Sequence, residues 1–319
     1  RDIALFELLM QAALAALEDF APSDLANLTT GLARLSLGSE HRDVLSAVLQ
    51  KAACTSASFS TEEWQRLGWA FTRLGTPGTL DVFAPRFLLA SAEVAKSVHE
   101  QLSMLRCTRG LPCLQSLCER PPVVMVTGFI SADETNQLLD LSMGLWERVP
   151  PDTPTVELCG PKLEGHPTVQ ALLYRAEALM SLPKGHAENV RIMRRRPKDP
   201  ATPGSDVLVE DDVKAALALP SPDPRHPTWS ALRGGQRVAA IQIYLAEGGR
   251  RHFGRLGLEA APPRGAALVW PLVRKNGAGE QKWACCEGEE SSGGCSAWIW
   301  LRSEVVPRIG HPRTSLCGA

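Results

Sequence analysis

The chain has 319 residues, and its contents of 44% hydrophobic and 22% charged residues are typical of a globular protein. A net charge of -1 gives no overall attraction to nucleic acid or to an anionic membrane, and no stretch reaches the roughly 18 predominantly apolar residues of a membrane-spanning helix. The nine cysteines lack the paired C-x2-C spacing of structural zinc sites, so neither a metal role nor a compartment follows from them.

The first third of the chain contains an internal repeat with an offset of 39 residues. The words FAPSDLANLTTGLARLSLG and FSTEEWQRLGWAFTRLGTP align, and their apolar positions recur at helical spacing. The matched pairs are Phe20/Phe59, Leu25/Trp64, Leu28/Leu67, Leu32/Phe71 and Leu35/Leu74. Such a pattern indicates stacked helix pairs, each burying its apolar face against the next. We therefore predict an all-α helical-repeat domain over residues 1–105, with a third repeat unit opening at residues 80–93.

The words DLANLTTGLARL and EWQRLGWAFTRLG resemble the degenerate helical repeats of algal and protist organelle proteins, of which several families bind RNA. The resemblance implies RNA as a partner of this region. Lysine and arginine are few here, however, so a structural or protein-binding role is the favoured interpretation. The chain begins with Arg1 inside a helical pattern, and we expect its N-terminus to be incomplete, which leaves the localisation unknown.

Residues 106–120 lose the helical pattern and are predicted to be a linker. A second domain is then expected, because it opens with an apolar strand at residues 123–126, a turn at Gly128 and a helix start. Ser131 and Glu134 have the spacing of a capping box, in which each side chain accepts a hydrogen bond from the other residue's backbone N–H. Further on, residues 238–245 alternate between two faces, as expected of a strand between a core and a barrel interior.

Several words in this region resemble the prolyl 4-hydroxylase branch of the iron(II) and 2-oxoglutarate dioxygenases. In chain order they are PPVVMVTGFISADE, HAENVRIMR, GGQRVA, the pair Gly248-Gly249 with Phe253 after it, PRG and LVWP. A closing strand at residues 296–301 follows them. The resemblance covers residues 121–302. It implies an α+β fold, in which a double-stranded β-helix (jelly roll) with buttressing helices follows the helical-repeat domain. The domain is predicted to span residues 121–305, with a tail at 306–319.

In that family iron is held by a His-x-Asp pair and a distant histidine, and the resemblance implies Fe(II), 2-oxoglutarate and ascorbate as cofactors. It places the first pair on Glu210 and Asp212, which makes these two the candidate metal ligands, and the distant histidine position on Ala284. A second interpretation is that these acidic residues begin a helix, and the sequence favours it. The lysine that pairs with 2-oxoglutarate corresponds to Gly294, and the candidate substitute cations are Arg195 and Arg302. The family's threonine near the cosubstrate corresponds to Ala240.

Three hypotheses follow from these residues. The first is a dioxygenase that hydroxylates a proline-containing polypeptide, and the second is a non-catalytic module for peptide or protein interaction. The third is an RNA-associated helical-repeat protein. We predict a prolyl 4-hydroxylase-like domain that is weakly active or inactive, because the distant histidine and the lysine are missing, and we expect no membrane association.

Overall fold

The computed structural model describes residues 3–37, 41–55, 58–76, 83, 87–107, 113–148, 155–158, 161–194, 207–220, 234–279 and 294–306. The chain forms two compact units. The first unit comprises Arg1–Leu88 and Val209–Arg233, and the second comprises Leu89–Leu208 and Gly234–Ala319. Within the described ranges, no helix combines the length and the apolar character that crossing a bilayer requires.

The first unit is built from helices, and their bounds agree with the 39-residue offset seen in the sequence. Helix α3 begins and ends 39 residues after α1, and α4 begins 39 residues after α2. Their bounds are Ile3–Ala15 for α1, Pro22–Leu35 for α2, Arg42–Cys54 for α3 and Thr61–Arg73 for α4. At the start of α4, Ser60 and Glu63 form a capping box that satisfies two backbone donors.

Six of the ten repeated apolar positions lie in the core of the first unit. They are among its most deeply buried residues, namely Leu25, Leu32, Phe59, Trp64, Leu67 and Phe71. A further helix of this unit, which we number α9, spans Glu210–Leu217 and packs on α4. The Trp69 indole N–H donates a 2.7 Å hydrogen bond to the Leu219 carbonyl just after α9, and an added Cβ at Gly68 would lie 2.9 Å from the Leu217 side chain. The small residue therefore permits the close approach of these two helices.

Replacing Trp69 by phenylalanine tests this docking. The change removes the hydrogen bond to the partly buried Leu219 carbonyl and replaces the indole by a smaller ring, so we expect a loss of about 2 kcal/mol in the free energy of unfolding. The measurement is urea unfolding followed by circular dichroism. Tyr174→Phe, at an exposed position of the second unit, is the matched control and should leave the stability unchanged. Equal stability of Trp69→Phe and the wild type would contradict the packing.

The second unit contains an antiparallel seven-stranded sheet with the order β1-β2-β8-β5-β9-β4-β3 and a two-stranded ribbon of β6 and β7. The strand bounds are Leu114–Glu119 for β1, Pro122–Val126 for β2, Thr155–Glu157 for β3, Arg191–Arg194 for β4, Arg237–Tyr244 for β5, Arg251–Phe253 for β6, Leu258–Ala260 for β7, Ala267–Pro271 for β8 and Cys295–Arg302 for β9. Helices and an antiparallel sheet together confirm the α+β class, while the closed jelly roll stays a prediction.

Helices cover one face of the sheet, which we call the helix face. They are α5 (Ala92–Cys107), α6 (Ala132–Trp146), α7 (Pro161–Glu164) and α8 (Pro167–Leu179). Apolar residues of α5, α6 and α8 share one core with Ile241, Ile243 and Leu245 of the sheet. The predicted capping box at the start of α6 is present, since Ser131 and Glu134 exchange backbone hydrogen bonds of 2.8 and 3.1 Å. Arg175 of α8 also pairs with Glu134 at 2.8 Å.

The structure differs from the predicted domain organisation at the predicted linker. The segment predicted as a linker contains strand β1, whose residues 114–119 pair with β2. Leu89 forms a bridge with Ala278 and α5 packs on the sheet, while the third repeat unit predicted to open at residues 80–93 stays a prediction. The first compact unit reaches Leu88, whereas the sequence predicted a helical-repeat domain that extends to residue 105.

Candidate functional site

The face of the sheet opposite the helices is lined by tryptophans, and we call it the tryptophan face. It carries Ala240, Tyr244, Leu268, Trp270, Trp298 and Trp300 in one buried cluster. The alternation predicted for residues 238–245 is confirmed, because Ala240 and Tyr244 lie on this face while Ile241 and Ile243 lie on the helix face. The β6–β7 ribbon packs against the cluster through Phe253 and Ala260.

The aromatic rings of this face form a continuous row. Trp300 stacks on Trp298 with ring centroids 5.5 Å apart, because the two residues are i and i+2 on β9 and point to the same side. Trp270 meets Trp298 edge-on at 5.8 Å, and Phe253 meets Trp270 edge-on at 5.4 Å. Such edge-to-face and offset contacts are the favoured geometries of aromatic pairs.

Guanidinium groups lie against both ends of the row. At one end, the guanidinium carbons of Arg237 and Arg191 lie 4.5 and 5.0 Å from the ring centre of Trp300. At the other end, the guanidinium of Arg251 lies 4.9 Å from Trp298, 5.4 Å from Trp270 and 5.7 Å from Phe253. These distances are within the range of cation–π attraction, which is stronger for desolvated cations.

One buried carboxylate, Glu188, holds the arginines at the Trp300 end. Arg237 donates to its two oxygens from Nε and one terminal nitrogen at 2.7 and 3.0 Å, and Arg302 also donates to it through Nε. A terminal nitrogen of Arg302 donates to the Gly235 carbonyl at 2.7 Å. Because Glu188 immediately precedes the β4 region while Arg237 and Arg302 lie on β5 and β9, this ion cluster ties three neighbouring strands together.

Burial and ionic contacts shift the pKa values of this cluster in opposite directions. Burial alone would raise the pKa of Glu188, but the charges of Arg237 and Arg302 and the hydrogen bond from Arg237 outweigh it and lower that pKa from 4.5 to about 2. Burial also lowers the pKa of Arg302, to about 10, against the opposing effect of Glu188. All these groups are therefore charged at neutral pH.

Among the described residues of this region, buried cations outnumber buried carboxylates. Arg237, Arg251 and Arg302 are 8%, 5% and 1% exposed, and Glu188 is the acidic residue that is buried with them, at 7%. The other buried carboxylate among the described residues, Glu177, accepts backbone hydrogen bonds from Gly185 and Ala187. In the part of the chain that the structure describes, the tryptophan face is thus aromatic and positively charged.

The structure places the predicted site residues as follows. Glu210 begins α9 in the first unit, is exposed, and pairs with Lys214 at 2.8 Å, which agrees with the helical interpretation. Asp212 lies on the same helix, but its side chain, like Arg195 and Ala284, is outside the described residues. Gly294 is buried just before β9. The assignment of Glu210 and Asp212 to a metal stays a prediction.

The residues present do not fit the iron site that the resemblance implies. Ala284 and Gly294 have no side chain that can bind a metal or a carboxylate, whatever their surroundings. Nowhere in the described part of the chain do three or more histidine, cysteine, aspartate or glutamate residues converge as a metal site would require. Arg302, a candidate substitute for the family lysine, is already bound to Glu188 and Gly235.

Sequence reasoning missed Glu188, Arg237 and Arg251. The sequence predicts a strand just after Glu188, but it does not show which cations contact this carboxylate. The hydrogen-bond partners of Glu188 lie 49 and 114 residues away along the chain. One signal was available in β9, where the sequence CSAWIWLR puts Trp298, Trp300 and Arg302 on a single face.

Comparisons with known proteins give a fold likeness only. No protein-family model and no curated protein matches the chain. A solved structure of a viral collagen prolyl hydroxylase from Paramecium Bursaria Chlorella virus-1, in a truncated form, is similar with 16% identity and a TM-score of 0.43, covering 59% of this chain and 94% of that one. A 2OG complex of the same viral enzyme is similar with 15% identity and a TM-score of 0.40, covering 56% and 94%. Neither likeness is close enough to assign a function.

The Glu188 cluster predicts a specific pH dependence. The folded-state pKa of Glu188 is depressed, so its contribution to stability is complete above the unfolded value of 4.5 and is lost as the pH falls towards about 2. The shift corresponds to about 3 kcal/mol. We expect the difference in unfolding free energy between the wild type and Glu188→Gln to be largest at pH 7 and to shrink by about this amount between pH 5 and pH 2. The measurement is urea unfolding at each pH.

The matched control is Glu259→Gln, which breaks the exposed Arg250–Glu259 pair. An exposed pair contributes less than about 1 kcal/mol, so this variant should follow the wild type at every pH. A gap between the wild type and Glu188→Gln that stays constant from pH 7 to pH 2 would show that the ionised carboxylate does not stabilise the fold.

Proposed function

We propose that the second unit is a prolyl 4-hydroxylase-like domain that turns over 2-oxoglutarate weakly or not at all and acts as an interaction module. Two observations support the proposal. Its sequence words follow the family order from residue 121 to residue 302, and its sheet is antiparallel with helices on one face. The main support for the proposed loss of activity is the positive charge of the buried arginines at the tryptophan face.

A buried positive surface opposes iron binding. Iron(II) is held in this family by two neutral imidazoles and one carboxylate, which offset part of the metal's charge. Here the described residues on the tryptophan face are mainly aromatic rings with guanidinium groups beside them, and a guanidinium group is not a metal ligand. Each nearby guanidinium raises the free energy of a divalent cation, and a site of low dielectric constant strengthens that repulsion.

Cosubstrate binding is weakened for a separate reason. Gly294 replaces the lysine that the resemblance assigns to 2-oxoglutarate, and the loss of a charge-assisted hydrogen bond removes about 1.5 to 3 kcal/mol. That loss amounts to about tenfold or more in affinity. Arg302 does not compensate, because its guanidinium is 1% exposed and bound to Glu188.

The partner that the resemblance implies is a proline-containing polypeptide, and we propose it as the ligand of the interaction module. RNA is not favoured by the described helices of the first unit. Trp69 and Phe71 are buried, so these rings of the repeat are not available to stack on bases.

A turnover assay tests the proposal. Purified protein with Fe(II), 2-oxoglutarate, ascorbate and a proline-rich peptide should release succinate at the rate of the protein-free control, and Asp212→Ala should behave like the wild type. Asp211→Ala, at the exposed neighbouring position, is the matched control. An active prolyl 4-hydroxylase run in parallel verifies the assay. Robust Fe(II)-dependent turnover that is abolished by Asp212→Ala and retained by Asp211→Ala would overturn the proposal.

A further inference from the structure

Helix α1 of the first unit carries an exposed row of apolar residues along one side. Leu5, Leu8 and Leu9 are 54%, 63% and 53% exposed, and Ala12 is exposed beside them. We call these four residues the α1 stripe, because the spacing i, i+3, i+4 and i+7 puts them on one side of a helix. Apolar residues exposed singly are ordinary, but a contiguous row of them marks a surface for interaction.

The α1 stripe is distinct from the side of α1 that packs into its own unit. On that side Met10 is buried, and the rings of Phe6 and His41, which precedes α3, have centroids 5.3 Å apart. The two polar residues of the helix, Glu7 and Gln11, are four positions apart and form a third side. Helix α1 thus has one apolar side toward α3 and a second apolar side toward solvent.

The internal repeat shows which kind of element covers such a surface. The residues 39 positions after Leu5 and Leu9 are Val44 and Val48 of α3, and these are 1% and 0% exposed. Helix α3 is preceded by α1 and α2, and both pack on it. The same positions on α1 are exposed, so no described helix covers them. The α1 stripe therefore has the chemistry of a helix-stacking surface.

The composition of α1 is not that of a helix that faces water. Terminal repeats of helical stacks normally carry a polar outer face, which keeps the stack soluble. Helix α1 has two polar residues among its 13, whereas α3, of the same length, has five charged, amide or hydroxyl side chains. A helix that is apolar on two sides is typically buried on both.

We propose that the α1 stripe is a dimer interface, on which α1 of a second copy of this chain packs in the antiparallel direction. The stripe is self-complementary about a two-fold axis between Leu8 and Leu9. This axis places Leu8 against Leu9 of the other copy and the large Leu5 against the small Ala12, so that the side chains interdigitate. The stripe contains no charged residue, and two copies meet there without like-charge repulsion.

The size of the surface sets the expected strength of the dimer. One pair of short helices is smaller than a standard protein–protein interface, so the association is expected to be transient and to depend on concentration. The inference concerns the first unit and needs neither iron nor 2-oxoglutarate. It is therefore independent of the function proposed for the second unit.

Sedimentation velocity of the full chain tests the proposal. We expect the mean sedimentation coefficient to rise from the monomer value toward the dimer value as the protein concentration increases through the micromolar range. Leu9→Glu puts a carboxylate at the centre of the interface and should weaken the association at least about tenfold. Met143→Glu changes a residue of the second unit that is 54% exposed, and this matched control should associate as the wild type does.

Cysteine cross-linking tests the antiparallel arrangement without adding a charge. In the proposed dimer, residue 9 is offset from its twin by about 1.5 Å along the helix axis, whereas exposed Ala15 is offset from its twin by about 20 Å. Under mild oxidation Leu9→Cys should form an intermolecular disulfide, and Ala15→Cys should cross-link no more than the wild type.

Three results would overturn the proposal. The first is a wild type that sediments as a monomer at every concentration, and the second is a folded Leu9→Glu that associates as the wild type does. The third is cross-linking of Ala15→Cys as readily as Leu9→Cys. None of these measurements involves turnover, so such a failure leaves the proposed function of the second unit unaffected.

Discussion

Guanidinium groups that are buried beside a β-sheet must be neutralised by carboxylates or covered by aromatic rings, and this requirement organises the second unit. Glu188 neutralises part of the charge at one end of the tryptophan face and joins β4, β5 and β9 in doing so. Trp300 covers Arg191 and Arg237, and Trp298 and Trp270 cover Arg251. The alternation of β9 brings Trp298 and Trp300 to one side, so the strand geometry and the electrostatics specify the same arrangement.

The core that holds the fold and the residues that could carry chemistry lie on opposite faces of the sheet. An antiparallel sheet with helices on one face can keep its architecture while the residues on its other face change, since the helix-face core of Ile241, Ile243 and their neighbours is independent of them. In the described part of this chain the other face is aromatic and positively charged. Positive charge on this face would disfavour a divalent metal, which supports the proposed loss of turnover.

Local sequence patterns predicted the elements of the fold well. The Ser131 capping box and the two faces of β5 were found from short-range spacing, and the helix bounds of the first unit follow the 39-residue offset. Strand β1 was missed because it is an edge strand with an irregular register and no clean alternation of burial. Helix α5 was assigned to the repeat because an amphipathic helix gives no sign of which partner will cover it.

The candidate site was harder to predict than the fold. Its ionic contacts join residues that are 49 and 114 positions apart, and no local pattern reports such pairs. The family resemblance concerns positions where the family's ligands are missing. It does not predict that Arg251 and the tryptophans lie at the tryptophan face. The strand register pairs Ala240 with Trp270 and with Trp300, and this pairing brings the two tryptophans to one face.

The central claim is that the tryptophan face is a positively charged aromatic surface that does not hold a metal. Anomalous diffraction from crystals grown with Mn(II), which replaces Fe(II) without oxidising, tests it most directly. The account predicts the guanidinium of Arg251 between the tryptophan rings and no anomalous peak at this face. A peak bonded to protein nitrogen or oxygen atoms at about 2.0 to 2.6 Å on the tryptophan face would contradict it.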